Sequence, residues 1–370
     1  MLACQLNRYD AVSNYIRHLA NELSGNFEVS IFAFHVDPDF MSKGTRSVDV
    51  LYYTDRREHS LHEEVKASLN SAQLASTLAG YDLVIIVTER PVVPLIVWLR
   101  KSRKNVKLVW DFHGITPPQF YSSVRRRIIE TFRLGLMRFA LRYCDHCIVH
   151  SNYMRLEIVK YFPRDISVVP FGINLNEFTN ADRARIRAKY ALQDTFVLLY
   201  VGRMSRHKRV AFLLEGLAKL HDPSTKLLVV GDGEDRMSLE TYAQSLGVAD
   251  KALFLGNVSD SELPAVYSAS DLFVTASLHE GVCVPILEAF ASGKPALVPN
   301  LTAMPETADG GGLLYKWDSI NDLVIKISRL KSDKTLQTRL SRKGAEIVKN
   351  YDITNECKRY TTCIEQILQG

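Results

Sequence analysis

The densest chemistry in the sequence lies between Tyr200 and Val298. In Ser277–Val298 (SLHEGVCVPILEAFASGKPALV) two carboxylates, Glu280 and Glu288, stand with seven residues between them. Glu280 falls in a loop after an apolar run, where a carboxylate can reach a ligand. Glu288 lies about one turn into a helix predicted to start at Val284–Pro285, proline being favoured in a helix's first turn. The N–H groups of Val282, Cys283 and Val284 would face the same space and suit phosphate. An isolated pair of glutamates would read as two surface residues, so the neighbouring segments decide.

In Tyr200–Val210 (YVGRMSRHKRV) a strand ends at Val201 and Gly202 permits a tight turn. Arg203, Arg206, His207, Lys208 and Arg209 then crowd the loop before an apolar helix. Strand, glycine, fixed cations and a helix N-terminus together make a pyrophosphate site; the plainer alternative is a solvated basic turn. The next strand ends in VVGDGEDRMSLE, where Gly231 and Gly233 let backbone approach a ligand. Asp232, Glu234 and Asp235 would suit a metal, but acids in a helix's first turn more often cap it. Farther upstream, Lys107–Asp111 runs into Phe112-His113-Gly114, and a histidine at a strand's C-terminal end beside a glycine is placed to enter a cleft. A histidine packed in a Pro-rich loop is the alternative.

These residues need elements to hold them. Short β-branched runs alternate with amphipathic stretches, which predicts parallel sheets built from βαβ units. In the first half the predicted strands are Met1–Leu6, Val29–Phe34, Leu83–Val87, Lys107–Asp111, Cys147–His150 and Ser167–Val169. In the second they are Phe196–Val201, Lys226–Val230, Leu253–Leu255, Leu272–Thr275 and Pro295–Val298. The polar segment 180–194 reads as a connection between domains, and a last helix, Glu356–Leu368, is expected to pack back on the first. Two βα arrays of similar length imply an α/β fold of two doubly wound, Rossmann-like domains facing across a cleft. In such sheets ligands bind beyond the carboxyl ends of the strands. The predicted boundaries are 1–180, 181–350 and a returning helix over 351–370.

Bulk properties agree. The 370 residues, 46% apolar and 24% charged with a formal charge of +5, fit a globular protein of two domains and do not demand nucleic acid. No apolar run is long enough for a signal peptide or a membrane span. Six cysteines spread through a long chain suit a reducing compartment. Cys144-x-x-Cys147 lacks the second ligand pair of a zinc site and reads as two small buried residues. Between Tyr121 and Arg142 lie six arginines (125, 126, 127, 133, 138 and 142) and one glutamate. Ile128, Phe132, Leu136, Phe139 and Tyr143 recur there at helical spacing. Two readings stand side by side: a basic amphipathic helix, 124–142, lying on anionic lipid, and a surface helix whose apolar stripe faces the core.

Gly202-Arg203 with Lys208, Gly231-Asp-Gly233, Glu280 and Glu288, and Ala-Ser-Gly-Lys-Pro follow in order. As a set they resemble the retaining GT-B glycosyltransferases of the glycogen-synthase-like class, family 4, over most of 196–307. The segment 150–178 also resembles the end of that family's first domain. The resemblance implies that Arg203 and Lys208 hold a donor diphosphate, that Glu288 binds the ribose and that Glu280 contacts the transferred sugar. It also implies that His113 contacts the donor sugar.

Two departures stand out. The family often has a second glycine where this chain has Cys283, and the stretch 7–14 lacks the glycines usual after the first strand. The implied function is a retaining, metal-independent transfer from a nucleoside-diphosphate sugar to a glycan or lipid-linked acceptor, in cell-surface polysaccharide or glycolipid assembly. No cofactor beyond the donor is expected. The expected location is cytoplasmic, with peripheral attachment to the membrane's cytoplasmic face open. A nucleotide-sugar epimerase and a catalytically silent nucleotide-sugar-binding partner are the alternatives.

Overall fold

In the computed structural model the described residues are 2–3, 11–33, 48–50, 71–87, 93–102, 106–114, 116–121, 123–162, 164–179 and 181–369. Residues 7–10 of the glycine-poor stretch 7–14 lie outside them, as does Cys4. The chain forms two compact units. The first comprises residues 1–119, 123–172 and 353–370, and the second 120–122 and 173–352.

The first unit is built on an all-parallel seven-stranded sheet: β1 (Leu2–Ala3), β2 (Ile31–Ala33), β3 (Val48–Val50), β4 (Leu83–Ile86), β5 (Lys107–Phe112), β6 (His146–Val149) and β7 (Ile166–Val168), in the order 3-2-1-4-5-6-7. β5 shows why these segments are central strands. Every residue from Leu108 to Phe112 is buried, whichever face it points to, as in a parallel strand covered on both sides. Val109 pairs with His146 and Asp111 with Ile148, so β5 and β6 end level. Helices start where side chains can cap them: Ser123 accepts from the Arg126 N–H and Ser151 from the Met154 N–H.

The second unit repeats the plan in β8 (Phe196–Val201), β9 (Thr225–Val230), β10 (Ala252–Gly256), β11 (Leu272–Val274), β12 (Ala296–Pro299) and β13 (Gly312–Tyr315), ordered 10-9-8-11-12-13. Its core joins the strand residues Leu198, Tyr200, Leu227 and Val274 to Leu213 and Leu217 of the Val210–Lys219 helix and Leu323 and Ile327 of the Ile320–Ser332 helix.

Several elements depart from expectation. The polar segment 180–194 is not a bare connector, because Arg183–Lys189 is helical, with Asp182 capping it. Arg183 and Arg187 both reach Asp271, at 3.0 and 3.4 Å, which ties the helix to the second sheet. The crossing therefore falls at 172/173. β3, β13 and the helices Ile320–Ser332 and Lys334–Ile347 carry no motif and escape the motif-led reading. The last helix runs Ile353–Gln369 and belongs to the first unit. Tyr360 Oη donates to Asp111 Oδ2 at 2.9 Å, and the Gly172 N–H donates to Glu356 Oε2 at 2.6 Å.

Candidate functional site

Strand order in the second sheet reverses between β8 and β11, and a crevice at the carboxyl ends of such strands is where ligands bind in doubly wound folds. The loops that flank this point carry Gly202–Arg209 and Ala276–Cys283. They are laced together. The Leu278 N–H donates to the His207 carbonyl at 2.8 Å, and the Glu280 N–H donates to Thr302 Oγ1 at 3.3 Å. A third loop, after β9, presses against the first. A side chain at Gly231, where φ is 117°, would place Cβ 2.1 Å from the Gly202 carbonyl oxygen. Gly231 therefore serves contact between loop backbones as well as any ligand.

Lys208 Nζ lies 2.7 Å from Glu280 Oε1, both side chains mostly shielded. Burial alone would lower the lysine pKa, but the Glu280 carboxylate outweighs it and raises it, so the ammonium is permanent. Beside it, burial and then Lys208 push His207 down to about 4, which leaves a neutral imidazole. Phe120 brings its ring within 5.9 Å of the His207 ring centroid and 6.3 Å of His279. The exposed Arg203 pairs with Glu234 at 3.0 Å.

The Val284–Ala291 helix follows with Pro285 in its first turn, as expected, and with Cys283 at its N-cap in a left-handed conformation, φ 66°. That backbone explains why glycine suits this position: a side chain there costs about 1–2 kcal/mol. The N–H groups of Val282, Cys283 and Val284 find no acceptor among the described residues. Glu288 accepts from Tyr267 Oη at 2.6 Å. Burial pushes the carboxyl up to about 7, and the tyrosine bond pulls against that shift.

The acids after β9 are engaged otherwise than as helix caps. Asp232 accepts from the Gly233 N–H and pairs with Arg236, Glu234 is taken by Arg203, and Asp235 makes no side-chain cap bond.

The second unit thus brings together Gly202, Arg203, Lys208, Gly231, Glu280, Val282, Cys283, Val284 and Glu288. Sequence reasoning missed Tyr267, Thr302, His207 as a neutral group, and Phe120. Tyr267 lies on a helix (Leu263–Ala269) with no motif, and Phe120 belongs to a short piece of the second unit set within the first unit's stretch of sequence.

His113 lies in the first unit, at the ends of β5 and β6. Its side chain is 5% exposed, with Nε2 3.5 Å from Asp111 Oδ1. His150 Nε2 lies 2.9 Å from the same oxygen, and Tyr15 Oη donates to Oδ2 at 3.0 Å. Burial would raise the Asp111 pKa; His113 and His150 reverse that and hold it well below the carboxylate range. Asp111, His113 and His150 offer donor atoms within 4.8 Å of one another. Asp111 is already surrounded by two imidazoles and two tyrosine hydroxyls, the make-up of a buried ion cluster. Cys144 and Cys147 are buried free thiols, and burial pushes Cys144 up to about 12.

Sequence comparison finds two family profiles that divide the chain between them. Glycosyltransferase Family 4 matches residues 12–177, and Glycosyl transferases group 1 matches 182–347. The chain belongs to the family 4 glycosyltransferases of GT-B fold. Among curated proteins it is similar to the UDP-Gal:alpha-D-GlcNAc-diphosphoundecaprenol alpha-1,3-galactosyltransferase of Escherichia coli, 26% identical over 66% of this chain and 65% of that one. The chain spans less than two thirds of the length of the first such relatives. In fold it is similar to sucrose-phosphate synthase of Thermosynechococcus elongatus, with a TM-score of 0.83, 21% identity and coverage of 100% and 99% of the two chains. It is also similar to Anabaena HepE in complex with UDP, with a TM-score of 0.78, 19% identity and coverage of 99% of each chain.

Proposed function

We propose that the chain transfers a sugar from a nucleoside-diphosphate sugar to a glycan or lipid-linked acceptor. The transfer retains anomeric configuration, needs no divalent metal, and serves polysaccharide or glycolipid assembly on the cytoplasmic side of a membrane. The observation that carries this reading is the Lys208–Glu280 pair, set beside the N–H groups of Val282, Cys283 and Val284 at the strand-order reversal.

Lys208 spends one N–H on Glu280 and keeps the others for phosphate oxygens. With Arg203 and the helix N–H groups it would stabilise the departing diphosphate, where charge develops in the transition state. Glu280 would hold the transferred sugar and Glu288 would accept from ribose hydroxyls. Retention and the sugar and ribose assignments rest on the resemblance to the retaining enzymes of the family. The engagement of Asp232 and Glu234 by arginines favours protein cations over a metal at the diphosphate. A lipid-linked acceptor is supported by the diphosphoundecaprenol substrate in the name of the E. coli relative.

The test is transfer from UDP-sugars to a polyprenyl-diphosphate-linked sugar, with the anomeric configuration of the product read by NMR and the rate compared with and without EDTA. Retained configuration and an unchanged rate are expected. Inverted product, or a rate abolished by EDTA, contradicts the reading. Conversion of the donor with no acceptor present would instead mark an epimerase.

A further inference from the structure

The arginine-rich helix Val124–Leu141 turns its apolar stripe outward. Val124, Ile128 and Phe132 are 68%, 66% and 67% exposed, Phe139 is 42% exposed, and Tyr143 just beyond the helix is 36% exposed. Spacings of four, four, seven and four put these five on one face. The opposite face supplies the packing: Met137, Ala140 and Leu141 are buried. The stripe is thus not the helix's core contact, and the structure separates two readings that the sequence leaves side by side.

The charges around it are one-sided. Arg125 and Arg142 are exposed beside the stripe, whereas the helix's one acid, Glu130, is half-buried and held by Arg133 at 2.6 Å. Arg138 leans the other way, stacking 3.9 Å over Tyr161 and donating to its hydroxyl, which fixes the helix to the segment that follows the Asn152–Ile158 helix.

We propose that this face is a membrane-docking surface. The side chains of Val124, Ile128, Phe132 and Phe139 enter the boundary between headgroups and acyl chains of an anionic bilayer, and the flanking arginines pair with lipid phosphates. A row of exposed aliphatic and aromatic side chains costs hydration in water and is stabilised in that boundary. Guanidinium groups beside it are complementary to anionic headgroups, each contributing about 1 kcal/mol, or about fivefold in partition. The inference deepens the proposed reaction by placing the chain where a lipid-linked acceptor resides, but the surface is testable without any turnover.

The experiment is co-sedimentation of the full chain with phosphatidylglycerol–phosphatidylcholine vesicles and with phosphatidylcholine vesicles alone. It compares the native chain with I128S/F132S and R125E/R142E, all at exposed positions. The native chain is expected to partition to the anionic vesicles. Each double variant should lose about tenfold or more, with melting temperature and UDP binding unchanged. A Phe132→Trp variant should show a blue-shifted emission quenched by acyl-chain-brominated lipid, which surface adsorption alone would not give.

Equal partition of I128S/F132S and the native chain would overturn the proposal, as would failure of the native chain to bind anionic vesicles. Self-association that I128S/F132S abolishes while vesicle binding persists would overturn it in favour of a contact between copies. Vesicle binding without transfer would instead sink the proposed reaction and leave the surface standing.

Discussion

Lys208 and Glu280 come from loops 72 residues apart, yet one 2.7 Å contact makes each the other's main partner. Removing either end therefore has different consequences. Lys208→Ala leaves a shielded carboxylate without its cation and takes a charge from the proposed diphosphate site. Calorimetry should show nucleotide affinity falling by about tenfold or more, in line with about 1.5–3 kcal/mol for a hydrogen bond to a charged group. Glu280→Gln keeps a hydrogen-bonding group and the cation, so nucleotide affinity should stay within a few-fold while turnover drops by about a hundredfold or more.

Glu288 gives a pH test. Burial holds its carboxyl at about 7, so below that pH it is protonated and, in the proposed role, a poorer acceptor for ribose hydroxyls. Donor KM should rise as pH falls through 7. Tyr267→Phe removes the bond that stabilises the ionised form, so the inflection should move to higher pH; an unmoved inflection would remove Glu288 from ribose binding. The sequence singles out Arg203 and Lys208 as cations in a loop between a strand and a helix, and Glu280 and Glu288 by their spacing around a helix start and by the family resemblance. Tyr267 is not legible there, because a tyrosine in a short apolar helix looks like core until its hydroxyl finds Glu288.

Elements decide whether those side chains meet. β8 and β12 were readable as apolar runs, β9 from its apolar Leu227–Val230, and the Val284–Ala291 helix from its proline. β3, at the edge of its sheet, and β13 are three- and four-residue strands whose identity comes from pairing with β2 and β12. Short strands carry too little periodicity to announce themselves. The 183–189 helix hid inside a charged segment because its arginines read as solvated, whereas Asp271 recruits two of them.

Gly231 shows how tightly the loops are set. Gly231→Ala would drive Cβ into the Gly202 carbonyl in a left-handed backbone. It should destabilise the fold by about 2–4 kcal/mol, as strain at a special φ does, and weaken nucleotide binding with it. A melting temperature within a degree or so of the native protein would show that the loops part freely.

At the scale of the whole chain, the polypeptide leaves the first unit at 172/173 and re-enters it at 352/353, so its last helix belongs to the first unit. Ile173 and Asp352 form a parallel bridge at the crossing, and Glu356 caps Gly172 one residue away. Burial lifts the Glu356 carboxyl to about 8 from 4.5, so the native state holds a proton that the unfolded chain releases above 4.5. Stability from this group therefore falls as pH rises from about 4.5 to 8. The raised pKa of His150 acts in the same sense, with its contribution full below 6.5 and lost as pH rises through the folded value. Glu356→Gln should flatten the loss of melting temperature between pH 5 and 8; an unchanged slope would contradict the assignment.

The two-array plan is visible in the sequence because each half repeats strand and helix at similar intervals. The exact crossing points were not, since they depend on which sheet Asp271 and Asp111 organise.

The central claim is that the second unit holds a nucleoside diphosphate through Lys208 and the start of the 284–291 helix. Calorimetric titration of UDP, GDP and ADP into the native chain and Lys208→Ala, with and without Mg²⁺, tests it most directly. Metal-independent binding of one diphosphate that the substitution weakens by about tenfold or more is the predicted result. Binding that is unaffected by Lys208→Ala, or absent for all three nucleotides, would contradict it.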